Sequence, residues 1–255
     1  MMYTLFEEGK IFVLGHRGCS ERFPENTMPS FEDCTTNPRI DGVELDVQLT
    51  KDGKVVISHD FHLKRTAGLD VLIKDLTYDE LKDIDVGSFK DPSFSNVRIP
   101  LLEDLFSSIG NRFVYDIEIK AEHITGNKEL CLKVWDLICS YKLQENVMVS
   151  SFNPFALRRF NRACWYSVPT ADIFSPDCGP KYLWDGGGYK VSGSSYMKPR
   201  KDLLKNKLRR RGQCPIIPWT VNTEEDAREL LSEEGVIGLI GNDPHMLARV
   251  VEEKK

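Results

Sequence analysis

Four short stretches place acidic, basic and imidazole side chains inside or at the ends of apolar runs that read as buried strands. His16 and Arg17 close the run 11–16, and Glu44 and Asp46 lie within 42–47. His59 and Asp60 end the run that starts at Lys54, and Glu118 and Lys120 end the run that starts at Arg112. Residues two apart on a strand share a face, so Glu44 pairs with Asp46 and Glu118 with Lys120. Carboxylates converging in this way repel one another unless neutralised, and a hard divalent cation is the natural solution. Glu44, Asp46 and Glu118 form an all-oxygen candidate metal set that leaves positions for water and phosphate oxygens. Salt-bridged rim residues are the plainer reading, but unpaired charge on a buried strand is costly. Imidazole ordinarily titrates near neutral pH, so His16 and His59 suit general base and general acid on either side of a phosphate. The other histidines, His62, His123 and His245, fall in loops or helix starts. Arg17 and Lys120 supply cationic donors for phosphate charge, one as a fork and one as a point charge.

The elements that position these groups alternate in kind. Apolar runs that predict strands occur at 11–16, 42–47, 112–119, 147–151, 166–173, 189–192, 216–221 and 236–241. Helical patterns lie at 127–143, 154–164, 201–211 and 223–234, with a last helix from about Pro244. Strands alternating with helices imply right-handed crossovers and a parallel sheet, and eight strands favour closure into a TIM (β/α)8 barrel. Active sites of such barrels sit at the C-terminal strand ends, where the charged residues lie.

One segment breaks the alternation. The runs 42–47 and 54–59 are too close for a parallel crossover and must form an antiparallel hairpin. Asp52-Gly53 reads as its two-residue primed turn, which places Asp46 opposite His59. From 61 to 100 the chain is polar and loop-rich, with a short helical pattern at 78–84. It reads as an insertion at the rim of one domain spanning 1–255, placed to shape or cover a substrate pocket.

Composition is that of a globular chain, with 41% hydrophobic and 29% charged residues over 255 positions. A net charge of −5 gives no overall attraction to nucleic acid and points to a small-molecule substrate. The basic run 205–211 reads as the last turns of a helix complementing its macrodipole. The three glycines 186–188 lack the strand-then-helix setting of a phosphate cradle. Seven cysteines without a C-x-x-C pair or finger spacing predict reduced thiols. No apolar stretch reaches 18 residues and the first ten residues do not read as a signal peptide, so a cytoplasmic protein without a membrane span is expected.

Taken in order, 15–18 (GHRG), 24–27 (PENT), 42–47 (GVELDV), 58–60 (SHD), 117–120 (IEIK), 150–152 (SSF) and 219–222 (WTVN) resemble the glycerophosphodiester phosphodiesterase family. The resemblance covers nearly the whole chain. It implies a TIM barrel with the insertion after the second strand and its hairpin, and metal-dependent hydrolysis of glycerophosphodiesters to glycerol 3-phosphate and an alcohol. By matching position, Glu44, Asp46 and Glu118 resemble metal ligands for magnesium or calcium, and His16 and His59 the general acid and base. Arg17 and Lys120 resemble phosphate contacts, Glu25 and Asn26 support the site, and Trp219 lines the pocket. Two stretches depart from the family: Gly241 stands where threonine is more usual, and 175–198 matches poorly. Two other readings are weighed against this one, a phospholipase D of the sphingomyelinase D or lysophospholipase D type and a non-catalytic barrel that binds a phosphate metabolite.

Overall fold

The structure, a computed structural model, describes residues 5, 9–121, 128–178, 181–184, 186–205 and 214–254. Strands are β1 (Phe12–His16), β2 (Gly42–Leu49), β3 (Val55–Ile57), β4 (Val114–Ile119), β5 (Val147–Ser151), β6 (Thr170–Phe174), β7 (Tyr196–Pro199) and β8 (Gly238–Gly241). All but β3 run parallel in the order β7-β6-β5-β4-β2-β1-β8. The remaining stave is the segment 215–221. Met197 N–H donates to Pro215 O, Ile217 N–H to Met197 O and Trp219 N–H to Pro199 O, while on its other edge Ile240 N–H donates to Pro218 O and Val221 N–H to Ile240 O. Pro215 and Pro218 have no N–H to give, so this stave bonds through isolated bridges rather than a continuous ladder. It lies between β7 and β8, completing a TIM-type barrel.

Both faces of the parallel strands are covered, which is why they read as apolar runs. Val13, Val43, Leu45, Val47, Tyr115, Ile117 and Ile119 pack outward under the helices. Phe12, Leu14, Met148, Ala171, Tyr196, Ile217 and Ile240 form a separate interior cluster. Gly42 is required by packing, since a Cβ there would lie 1.8 Å from the Val114 carbonyl oxygen.

Expectation and structure differ in four places. The run 189–192 is a helical turn ended by Gly193 at φ 70°, and the seventh strand begins at Tyr196 instead. The run from Tyr166 enters its strand only at Thr170. Helices Met28–Cys34 and Leu102–Ile109 were not expected, although Leu102, Leu105, Phe106 and Ile109 are buried at helical spacing. The hairpin register is shifted by one residue: Val47 faces Ile57, Gln48 faces Val56 and Leu49 faces Val55. The turn holds three residues with Gly53 at φ 74°, and Thr50 N–H donates to Lys54 O at 3.0 Å. Asp46 therefore faces Ser58, whose N–H donates to its carbonyl. His59 reaches the mouth from beyond the end of β3.

Helices Lys128–Ser140, Pro154–Ala163, Glu224–Leu231 and Pro244–Glu253 fall where the periodicity put them. Of the pattern 201–211, Lys201–Lys205 is helical, and the rest of the basic run lies outside the described residues, as does His123. The segment 61–100 contains short helical turns, among them Tyr78–Leu81, and shares with β3 a small core of Val56, Leu63, Ile73, Leu81, Val86, Ile99 and Leu101. No helix among the described residues is long and apolar enough to cross a membrane.

Candidate active site

Strand register brings the acidic residues together. His16 stands beside Glu44, Glu44 beside Asp116, and Asp46 beside Glu118. Carboxylate oxygens of Glu44, Asp46 and Glu118 lie within 4.8 Å of one another, and all three residues are buried. Their neighbours are cations. Lys120 Nζ is 2.6 Å from Glu118 Oε1 and 2.8 Å from Asp46 Oδ1. Arg17 Nε is 3.3 Å from Asp46 Oδ2 without hydrogen-bond geometry, so this buried donor has no acceptor among the described residues. Deeper in the barrel, Lys198 pairs with Asp116 and donates to Ser150 Oγ at 3.0 Å.

These charges set one another's protonation. Burial, and then Asp46 alongside, push the Glu44 carboxyl well above the usual carboxylate range. Burial acts the same way on Asp46, but Lys120 and Arg17 outweigh it and hold that carboxyl well below its ordinary value. For Lys120, burial opposes the charge, and Asp46 and Glu118 more than compensate, raising its pKa. With every group ionised, four carboxylates (Glu44, Asp46, Asp116, Glu118) face three cations (Arg17, Lys120, Lys198), so the cluster carries excess negative charge.

The turn after β1 supplies further donors. Arg17 sits at φ 57°, a region non-glycine residues rarely adopt, and its N–H donates to Glu44 Oε2 at 3.1 Å. Asn26, also at positive φ, donates through Nδ2 to Asp46 Oδ2 at 2.8 Å. Glu25 accepts from Arg17 at 2.7 Å and, through both oxygens, from Arg65.

The two imidazoles have different partners. His16 Nδ1–H donates to Asn242 Oδ1 at 2.7 Å, leaving Nε2 facing the carboxylates, 3.9 Å from Glu44 Oε2. Burial and then the neighbouring Arg17 push this ring down to about 3. His59 Nδ1 instead donates to the Asp60 carboxylate at 2.6 Å, and Asp60 is held in turn by Arg65 Nε at 2.6 Å.

A cavity of about 170 Å³ opens onto these groups, lined by His16, Arg17, Glu44, His59, Glu118 and Lys198 on its polar side. Its apolar wall is Phe152, Ile173, Trp219 and Ile240. The Phe152 and Trp219 rings meet edge to face, with centroids 5.5 Å apart, and Trp219 Nε1–H donates to Lys198 O at 2.9 Å. All ten residues singled out from the sequence converge here: six line the cavity, Lys120 bridges Glu118 and Asp46 beside it, and Glu25 and Asn26 hold Arg17 and Asp46 from behind. Sequence reasoning missed Asp116, Lys198, Asn242 and Arg65. Asp116 was legible as the residue two before Glu118, whereas Lys198 belongs to a strand that was misplaced.

Buried carboxylates, imidazoles and cations at the C-terminal strand ends define an enzyme site on a TIM barrel. The fold matches that of an Oleispira antarctica phosphodiesterase solved in complex with the product sn-glycerol-3-phosphate, at 26% identity and a TM-score of 0.81, covering 94% of this chain and 96% of that one. The chain is 34% identical over 251 residues to the glycerophosphodiester phosphodiesterase of Caldanaerobacter subterraneus subsp. tengcongensis, covering 96% of this chain and 99% of that protein. It is also 38% identical over 136 residues to a lysophospholipase D of Homo sapiens, covering 50% of this chain and 41% of that one. The model of the glycerophosphoryl diester phosphodiesterase family matches residues 16–246. The chain belongs to that family and is an enzyme of its class.

Proposed function

We propose that the protein hydrolyses glycerophosphodiesters to sn-glycerol 3-phosphate and an alcohol, with a divalent ion, magnesium or calcium, on Glu44, Asp46 and Glu118. The observation that carries this reading is the convergence of those three buried carboxylates, in negative excess, with two imidazoles on one cavity. The donor set fits a hard ion, because all three side chains offer carboxylate oxygen and they converge on one point. When bound, the ion supplies Lewis-acid polarisation of a phosphoryl oxygen.

The protein's own groups do the rest. Arg17, with its unpartnered Nε, and Lys120 balance the phosphate charge. His16, fixed by Asn242 as the neutral tautomer with Nε2 free, takes a proton from the nucleophile. His59, backed by the Asp60 carboxylate, gives a proton to the leaving oxygen. Either water or the neighbouring glycerol hydroxyl serves as nucleophile, the second through a cyclic phosphate. Phe152 and Trp219 pack against the substrate's carbon skeleton. The seven free thiols agree with a cytoplasmic setting.

Product analysis tests the reaction. With glycerophosphocholine or glycerophosphoethanolamine the expected products are glycerol 3-phosphate and the free amino alcohol. Release of phosphocholine would overturn the cleavage position. Turnover of lysophosphatidylcholine but not glycerophosphocholine would transfer the reading to a lysophospholipase D, and binding of these esters without turnover to a metabolite-binding barrel.

A further inference from the structure

On the outer side of the barrel, away from the carboxylate cluster, three donors of different kinds converge. One atom each of the Cys19 thiol, the Asp33 carboxylate and the His245 imidazole lie within 4.8 Å of one another. They come from three elements: the loop after β1, helix Met28–Cys34 and the first turn of helix Pro244–Glu253. Cys19 is fully buried, while the side chains of Asp33 and His245 are 11% and 25% exposed, so the group is reachable from solvent on one side. His245 Nε2 lies 2.9 Å from Asp33 Oδ2, Asn37 Nδ2 lies 3.4 Å from the other ring nitrogen, and Arg22 reaches Asp33 Oδ2 from the surface at 3.3 Å.

We propose that Cys19, Asp33 and His245 form a second metal site, for a zinc-like divalent ion, with a fourth position left to water. One sulfur, one nitrogen and one oxygen make a donor set suited to zinc or cobalt, whereas the all-oxygen cluster in the barrel suits magnesium or calcium. The imidazole and carboxylate are already at ligand spacing, and the thiol lies within 4.8 Å of both. A tetrahedral ion with bonds of about 2.0 to 2.3 Å holds its ligand atoms roughly 3 to 4 Å apart, close to the present separation of the imidazole and the carboxylate. Cys19 binds as thiolate and releases its proton to solvent, and His245 binds as the neutral ring, so one proton leaves for each ion bound.

The location gives the ion a purpose. Cys19 is three residues beyond His16, and His245 is three beyond Asn242, the residue that orients the His16 ring. An ion on these three donors ties the loop after β1 to the helix after β8, three residues along the chain from each member of the His16–Asn242 pair. Its work is to stiffen that junction, and the reaction chemistry does not pass through it.

Cobalt titration of the full-length, reduced and chelator-stripped protein tests the site, because only a thiolate ligand gives a near-ultraviolet sulfur-to-cobalt absorption band. The expected result is a band that saturates at one equivalent, is displaced by zinc, and persists in Cys34→Ser and Glu44→Gln. It disappears in Cys19→Ser, and in the more exposed His245→Ala zinc affinity falls by more than ~100-fold, beyond the cost of losing an outer partner. Thermal melts of the wild type shift upward with zinc, and those of His245→Ala do not. A wild type without the band, or a band that survives both Cys19→Ser and His245→Ala, would overturn the proposal and leave the three groups as a hydrogen-bonded network.

Discussion

Strands β1, β2 and β4 carry His16, Glu44, Asp46, Glu118 and Lys120 on a regular parallel ladder. Across the cavity, β6, β7 and the 215–221 stave carry Ile173, Lys198 and Trp219 on a ladder interrupted by two prolines. The first half is crowded with charge, and each group is fixed by a strand neighbour one register step away. The second half is mostly apolar, and its one buried cation, Lys198, is neutralised by Asp116 reaching from the first. Groups that exchange protons or hold a cation need placement within a fraction of an ångström, which a continuous ladder provides. A wall that only has to fit carbon skeletons tolerates an irregular backbone. On this account the first half sets turnover and the second sets affinity and fit.

Substitutions should separate the two. The largest losses belong to the charged half: His16→Ala is expected to lower kcat by ~10²- to 10⁴-fold, the range for removing a general base. His59→Ala sharpens the assignment of roles. With an alkyl leaving group it should lose as much as His16→Ala, but with a nitrophenolate leaving group, which departs without a proton, most of its activity should return. Recovery in His16→Ala rather than His59→Ala would exchange the two roles.

Lys198→Met should act on stability as well as on the cavity that Lys198 lines. It leaves Asp116 buried without its cation and is expected to cost ~3–5 kcal/mol in chemical denaturation, with most of that regained in the double variant Asp116→Leu/Lys198→Met. Trp219→Ala, in the apolar wall, should raise KM roughly 10-fold while kcat changes only a few-fold. An equal fall in kcat would mean that the wall also shapes the transition state.

The smallest effect concerns Asp172 on β6, buried with one oxygen that has no partner among the described residues and pushed by burial up to about 7. The folded protein therefore keeps its proton where the unfolded chain has released it. This contribution to stability is full below the ordinary carboxylate value and is lost as pH rises from there toward 7. Asp172→Asn should flatten that part of the melting-temperature profile, and an unchanged profile would show that Asp172 is ionised in the fold.

The same contrast decided what could be read from the sequence. Glu44, Asp46, Glu118 and Lys120 were legible because the two-residue period of a strand puts them on one face, whatever the exact strand ends. The apolar half was not. Tyr189–Ser192 has the apolar content of a short strand, but it closes as one helical turn before Gly193, and the true strand hides Lys198 among Tyr196, Met197 and Pro199. His59 lines the cavity, but the hairpin geometry expected to bring it there differs. Asp52-Gly53 suggested a two-residue turn, yet Thr50 caps a three-residue one through its own hydroxyl, which accepts from Lys54 N–H, and the register moves by one. Asn242 and Arg65 act through partners 226 and 40 residues away, contacts that no local pattern announces.

The most direct test of the central claim follows glycerol 3-phosphate release from glycerophosphocholine while metal-free protein is titrated with magnesium or calcium, for wild type and Glu44→Gln. Turnover should be absent in chelator and return on adding the ion, and Glu44→Gln should recover little at any ion concentration. Full wild-type turnover in chelator, or a Glu44→Gln variant with the wild-type metal response, would contradict that claim.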